Sequence, residues 1–306
     1  MPMADLAHDL AGGGRSDLQG SPLRDLSVVI PAFNEEGAVR ATVESVRRAL
    51  DPLGLAYDII VVNDGSTDAT LAQARASGAT VIDQPVNLGY GAALKAGIRA
   101  GQSDFVAILD ADGTYPPDAL PRMLEIARHA DMVVGDRGAA MNNVPMIRRP
   151  AKWVLNSLAD FLADRHIPDL NSGLRVFRRS ELTPFLRLLP DGFSFTTTIT
   201  LCMICSNLRV HYMPIAYGRR VGQSKIRAKH FFTFILLLLR IVMLFQPLRI
   251  FLPLGAILFA LGFVKLLYDL TLLNVSETAI FGFLAALIIW SLGLIADMIA
   301  RLHLRP

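Results

Sequence analysis

The sequence predicts an α/β domain with a mostly parallel, Rossmann-like sheet, followed by an interfacial helix and two transmembrane helices. Three observations carry this. Short β-rich runs alternate with helix-period stretches from Leu26 to about Ile215, the pattern of right-handed βαβ units. Two long apolar runs occupy the last sixty residues. Hydrophobic residues make up 52% of the 306 positions and charged ones 19%, whereas ordinary soluble domains carry about 25% charged residues. The apolar excess therefore needs a home outside a soluble core. The net charge of +3 gives no support for bulk nucleic-acid binding, and two cysteines, Cys202 and Cys205, build no disulfide framework.

Residues 1–24 form a polar lead with three consecutive glycines and no apolar stretch of signal-peptide length, so a disordered tail in front of a cytosol-facing domain is expected. In the domain, residues 25–229, strands are expected at Leu26–Pro31, Tyr57–Val62, Ala79–Ile82, Phe105–Leu109 and Asp131–Val134. Glu36–Leu50 places Val39, Val43, Val46 and Leu50 on one helical face. Asp68–Ser77, Gly89–Ala100 and Asp118–Ala130 read as further helices, and the TLCMIC stretch as an apolar helix that uses both cysteines as core.

After His230 the character changes. Residues 230–247 are apolar apart from a few polar positions, too short to span, and carry Arg240; this predicts an interfacial helix, serving either membrane docking or contacts between copies in a homo-oligomer. Within residues 248–306, Ile250–Val264 continues past Lys265 to Tyr268, and Thr278–Ala296 is wholly uncharged. A span needs about 20 largely apolar residues, so both are expected to cross the bilayer. The connector Asp269–Glu277 has no Lys or Arg, whereas Arg227, Lys229, Arg249, Arg301 and Arg305 flank the pair. The positive-inside rule then keeps the domain and both termini on the cytoplasmic side of the inner membrane. Trp153 is expected in the core and Trp290 facing lipid.

Open parallel sheets bind ligands beyond the carboxyl ends of their strands. Three polar clusters fall there: Pro31-Ala32-Phe33-Asn34-Glu35, Asn63-Asp64-Gly65-Ser66-Thr67-Asp68 and Asp110-Ala111-Asp112-Gly113. One such cluster alone reads as a helix cap; three together read as a site. The last offers two hard carboxylates at i and i+2 beside a turn, suited to Mg²⁺ or Mn²⁺ sharing its shell with diphosphate oxygens.

These segments resemble family 2 glycosyltransferases of GT-A fold, specifically the polyprenyl-phosphate type related to dolichol-phosphate mannose synthase. The matching stretches are VVIPAFNE, IIVVNDGSTDAT, NLGYGAALKAGI, ILDADGTYPP, MVVGDR, DLNSGLRVFRRS, GFSFTTTITL and RRVGQSKI, covering about residues 26–228 in order. The resemblance implies that Pro31, Ala32, Asn34, Glu35, Asn63 and Asp64 hold the nucleobase and ribose of a nucleotide sugar, UDP- or GDP-linked. Asp110, Ala111 and Asp112 would hold the metal and diphosphate, with Lys95 and Gly91 supporting the donor from the Gly-rich helix start. Many relatives have Asp where Asn63 stands and Gln where Thr114 stands, which leaves base preference and the third metal ligand, here Thr114, open.

An acceptor phosphate is anionic at pH 7 and needs no general base, but it repels the donor diphosphate. Two unit charges at 4 Å cost about 4 kcal/mol at an effective dielectric of 20. Arg137, Ser172, Arg175, Arg220, Ser224 and Lys225 are the expected acceptor-phosphate residues, and Asp110, Asp112, Arg137 and Asp169 the expected catalytic ones. Asp169 either orients an arginine or acts as a base. The expected activity is transfer of one sugar to a polyprenyl phosphate at the cytoplasmic face, metal-dependent and inverting. The alternatives are transfer to a lipid or glycan hydroxyl, with Asp169 or Asp191 as base, and a degenerate membrane scaffold.

Overall fold

The computed structural model describes residues 25–138, 160, 166–218, 242–243, 245–272 and 276–303. The expected tail, Trp153 and most of the 230–247 stretch lie outside the described residues.

The domain is built on a seven-stranded sheet of order β3-β2-β1-β4-β6-β5-β7. Strands β1 (Leu26–Ala32), β2 (Tyr57–Asp64), β3 (Thr80–Gln84) and β4 (Phe105–Ile108) pair in parallel. Every residue of β1 is buried, as expected of a central strand covered on both faces. Helices α1 (Val39–Leu50), α2 (Thr70–Ala76), α3 (Tyr90–Ala100) and α4 (Leu120–Ala127) supply the crossovers. The alternation of the strands splits the core in two. Val28 and Ile30 face Val39, Val43 and Val46 of α1 and Leu120 and Met123 of α4. Val29, Ile60 and Val62 face Leu94 and Ile98 of α3.

The β-rich run at Asp131–Val134 is observed as β5 (Met132–Asp136), parallel to β7 (Val210–Pro214). Between β4 and β5 lies β6 (Arg175–Arg178), antiparallel to both. Helix α5 (Phe195–Cys205) is buried along its whole length, which confirms the two cysteines as core residues.

Helices α6 (Leu248–Thr271) and α7 (Glu277–His303) are long and apolar enough to cross a membrane. They pack closely on each other through glycines: Gly262 meets Gly282, and Gly293 lies beneath Phe251. Away from that seam their apolar side chains point outward; Leu261, Val264, Phe281 and Leu287 are each at least 60% exposed. Such exposure suits lipid, not a soluble core. Trp290 was expected to face lipid. It is partly exposed and packs over Gly255 and Phe259, its indole N–H donating to the Leu252 carbonyl at 3.2 Å. Asp269, expected in the connector, sits in the last turn of α6, paired with Lys265 and accepting from the Ser276 amide at 2.9 Å.

Candidate active site

The polar clusters at the ends of β1 and β2 interlock. Asn34, with φ of 54°, turns the chain after β1 and its side-chain oxygen accepts the Thr67 amide at 2.9 Å. The Glu35 amide donates to Thr70 Oγ1 at 2.8 Å, and Glu36 accepts the Ala69 amide at 2.8 Å. Pro31 and Ala32 are buried in β1. Asn63 donates its Nδ2 to Asp83 at 2.8 Å while its buried Oδ1 has no partner among the described residues. Asp64 is buried and engaged: it accepts the Leu88 amide at 2.7 Å and the Gly89 amide at 3.0 Å, fixing the loop that enters α3.

Both residues expected to support the donor at α3 contact the 189–191 segment. The Gly91 and Ala92 amides donate to the Asp191 carbonyl at 2.7 and 3.1 Å, so the helix start is occupied by the chain itself. Lys95 pairs with the Asp191 carboxylate and donates to the Leu189 carbonyl at 3.1 Å, which ties it to this segment.

Asp110 and Asp112 lie just past β4 and flank Ala111, whose carbonyl accepts the Thr42 hydroxyl at 3.0 Å. Gly113, at φ of 72°, makes the turn. Asp110 Oδ1 accepts the Tyr90 hydroxyl at 2.8 Å, and the Gly173 Cα lies so near that a Cβ there would come within 2.7 Å of Asp110 Cγ. Asp112 Oδ1 accepts both the Thr114 amide, 3.1 Å, and its hydroxyl, 2.6 Å. Thr114 thus orients the Asp112 carboxylate through both its amide and its hydroxyl. Among the described residues no group of three or more acidic, His or Cys side chains gathers. Two hard carboxylates without a third match a Mg²⁺ or Mn²⁺ ion that completes its shell with diphosphate oxygens and water.

Arg137, just after β5, forms a bidentate pair with Asp169, Nε to Oδ2 at 2.7 Å and Nη2 to Oδ1 at 2.8 Å. Burial alone would raise the Asp169 carboxyl, but the Arg137 hydrogen bonds and charge outweigh it and hold it below the usual carboxylate range. Burial likewise works against the guanidinium, and the Asp169 contact overrides it and raises its pKa. Arg137 also lies over the Tyr217 ring at 5.5 Å, and Tyr217 meets Tyr115 edge-on. Tyr115 accepts the Gly173 amide at 2.7 Å, and the Gly218 amide donates to the Thr114 carbonyl at 2.9 Å. The 214–218 segment therefore reaches the metal-type motif directly.

Arg175 and Ser172 are placed differently from expectation. Both are fully buried. The Arg175 guanidinium donates to the Ser172 carbonyl at 2.8 Å, the Leu170 carbonyl at 2.9 Å and Thr200 Oγ1 at 2.6 Å. Burial depresses its pKa, and every strong partner is a protein oxygen, so it braces the 170–173 loop and does not reach an acceptor. Arg220, Ser224 and Lys225 lie outside the described residues. Tyr90, Tyr115, Gly173 and Tyr217 were not singled out in the sequence. Tyr90, Tyr115 and Gly173 carried a signal in their places within NLGYG, DADGTYPP and DLNSGLR; Tyr217 carried none.

The sequence profile of "Glycosyl transferase family 2" matches residues 27–183, and that of the "GtrB C-terminal hairpin" matches residues 246–302. A dolichyl-phosphate hexose transferase of Haloferax volcanii is 33% identical over 66% of this chain and 86% of its own length. The hexosyltransferase Agl6 of the same organism is 31% identical over 66% of this chain, which spans 50% of that protein. The dodecaprenyl-phosphate galacturonate synthase of Rhizobium johnstonii is 28% identical over 92% of this chain and 89% of its own. Among solved structures, glucosyl-3-phosphoglycerate synthase of Mycobacterium tuberculosis in complex with Mn²⁺, UDP and its product superimposes with a TM-score of 0.57 at 26% identity. That match covers 72% of this chain and 80% of that one.

Proposed function

The chain belongs to glycosyl transferase family 2, and from that premise we propose that it transfers a single sugar from a UDP- or GDP-linked donor to the phosphate of a polyprenyl lipid, at the cytoplasmic face of the membrane that α6 and α7 span. The relatives named for polyprenyl-phosphate products support the acceptor class, and the one that matches along most of the chain includes the hairpin region. The solved relative with Mn²⁺ and UDP supports a metal-assisted nucleotide donor.

The observation that carries the phosphate acceptor is the state of the two carboxylates that could serve a hydroxyl acceptor as base. Asp169 is locked in the bidentate pair with Arg137, and Asp191 is paired with Lys95. A carboxylate held ionised by a guanidinium is a weak proton acceptor. A phosphate oxygen needs no such base; it needs cations. Arg137, fixed in direction by Asp169 and the Tyr217 face, offers a preorganised guanidinium for it. Arg220, Ser224 and Lys225 follow Gly218 in the chain and would complete the phosphate site. Asp110 and Asp112 would hold Mg²⁺ or Mn²⁺, which supplies charge neutralisation for the departing nucleoside diphosphate. In-line attack of the phosphate oxygen on the anomeric carbon inverts its configuration. The connector without Lys or Arg and the basic flanks of the hairpin favour the cytoplasmic orientation of the domain.

The test is a donor panel with purified protein, Mn²⁺ or Mg²⁺ and a short polyprenyl phosphate, scored by product mass. One glycosyl unit is expected on the lipid, lost with EDTA and reduced at least ~100-fold in Asp112→Ala, since metal-borne charge stabilisation is worth several kcal/mol. Turnover that persists in EDTA contradicts the metal assignment.

A further inference from the structure

The site contains a tyrosine that neither the polar clusters nor the basic residues account for. Tyr90 stands at the first position of α3 between Gly89 and Gly91, and both glycines are closed to any side chain by the backbone of Pro190 and Asp191. Its ring stacks on Phe193 with centroids 5.8 Å apart and planes at 16°. Its hydroxyl donates to Asp110 Oδ1 at 2.8 Å. On its other side Asp110 lies against the bare Cα of Gly173, whose amide is fixed by Tyr115. Phe193 itself is 60% exposed, whereas the Tyr90 ring packs against the edge of the core, so the stack runs from the core out to the surface. An exposed aromatic laid on a tyrosine whose hydroxyl ends on a metal-type carboxylate has a use beyond packing.

We infer that Tyr90 is a positioning residue for the divalent cation: its hydroxyl sets the rotamer of Asp110, and Phe193 holds the ring that carries that hydroxyl. The inference rests on the proposed metal role of Asp110 and Asp112. Hydrogen bonds to a ligating carboxylate orient it, and their loss costs about 10- to 100-fold in metal affinity. Phe193 lies on the segment that also caps α3 through Asp191, so the metal carboxylate is coupled to the position of the 190–193 segment.

The experiment is Mn²⁺ titration followed by electron paramagnetic resonance, on the full chain in detergent, with and without UDP. Tyr90→Phe keeps the ring, the stack and the volume. It is expected to weaken Mn²⁺ by about 10-fold with an unchanged melting temperature. Phe193→Ala is expected to weaken it less, about 3-fold, and to add nothing in the Tyr90→Phe background, because it acts through the same hydroxyl. Mn²⁺ affinity unchanged in Tyr90→Phe while Asp112→Ala abolishes binding overturns the inference and leaves the metal assignment standing. Wild-type protein that binds no Mn²⁺ even with UDP overturns both. Full additivity of the two substitutions overturns the coupling through Phe193.

Discussion

Asp169 shows how a residue's role depends on its partner. In the sequence it was an acid of two readings, base or orienter. The pair with Arg137, buried on the Asp169 side, supports the second, on which the proposed function rests. The depressed carboxyl contributes stability at pH above its unfolded value near 3.9, and that contribution is lost as the pH falls through the lower folded value. Between pH 5 and 8 the pair is intact and supplies no titrating base. Asp169→Asn strands a largely buried guanidinium. It is expected to destabilise the domain by about 3 kcal/mol and to depress turnover while UDP affinity holds. Denaturant unfolding and calorimetric UDP titration of the same variant check both halves. Asp110 and Asp112 were legible because chemistry and strand-end position coincide. Arg175 misled because a charged residue in a polar-looking motif reads as surface, and only the fold reveals that it is buried under the 170–173 loop.

At the scale of elements, the first four strands and four helices were readable because each has a clear period or a buried apolar run bounded by turn residues. Strands β6 and β7 were not. They are four and five residues long, β6 begins with a buried arginine, and their pairing is fixed by distant partners. The Gly-rich start of α3 was recognised, but its occupant was not. A helix N-terminus attracts anions and carbonyls alike, and here the Asp191 carbonyl arrives from a hundred residues away. Gly91 is required by that contact, because a Cβ would collide with the Pro190 carbonyl oxygen. Gly91→Ala is therefore expected to cost about 1–3 kcal/mol through backbone overpacking and to loosen Phe193 with it. Thermal unfolding, with Mn²⁺ affinity as the second readout, tests this.

For the molecule as a whole, composition located the membrane segment before any element was assigned. Its apolar excess resides in α6 and α7, whose outward faces are hydrocarbon-like and whose mutual seam is glycine. On the proposed function, such an anchor holds a polar site at the bilayer surface, where a soluble nucleotide donor and an isoprenoid acceptor can meet. The central claim is that the nucleophile is a phosphate, and one paired measurement addresses it. Purified protein with the productive donor and metal is offered polyprenyl phosphate and, separately, the free polyprenol of the same chain length. The account predicts glycosylation of the phosphate at least ~100-fold faster than of the alcohol, since Arg137 offers a cation while Asp169 and Asp191, the two candidate bases, are both held in ion pairs. Comparable or faster transfer to the alcohol would contradict it.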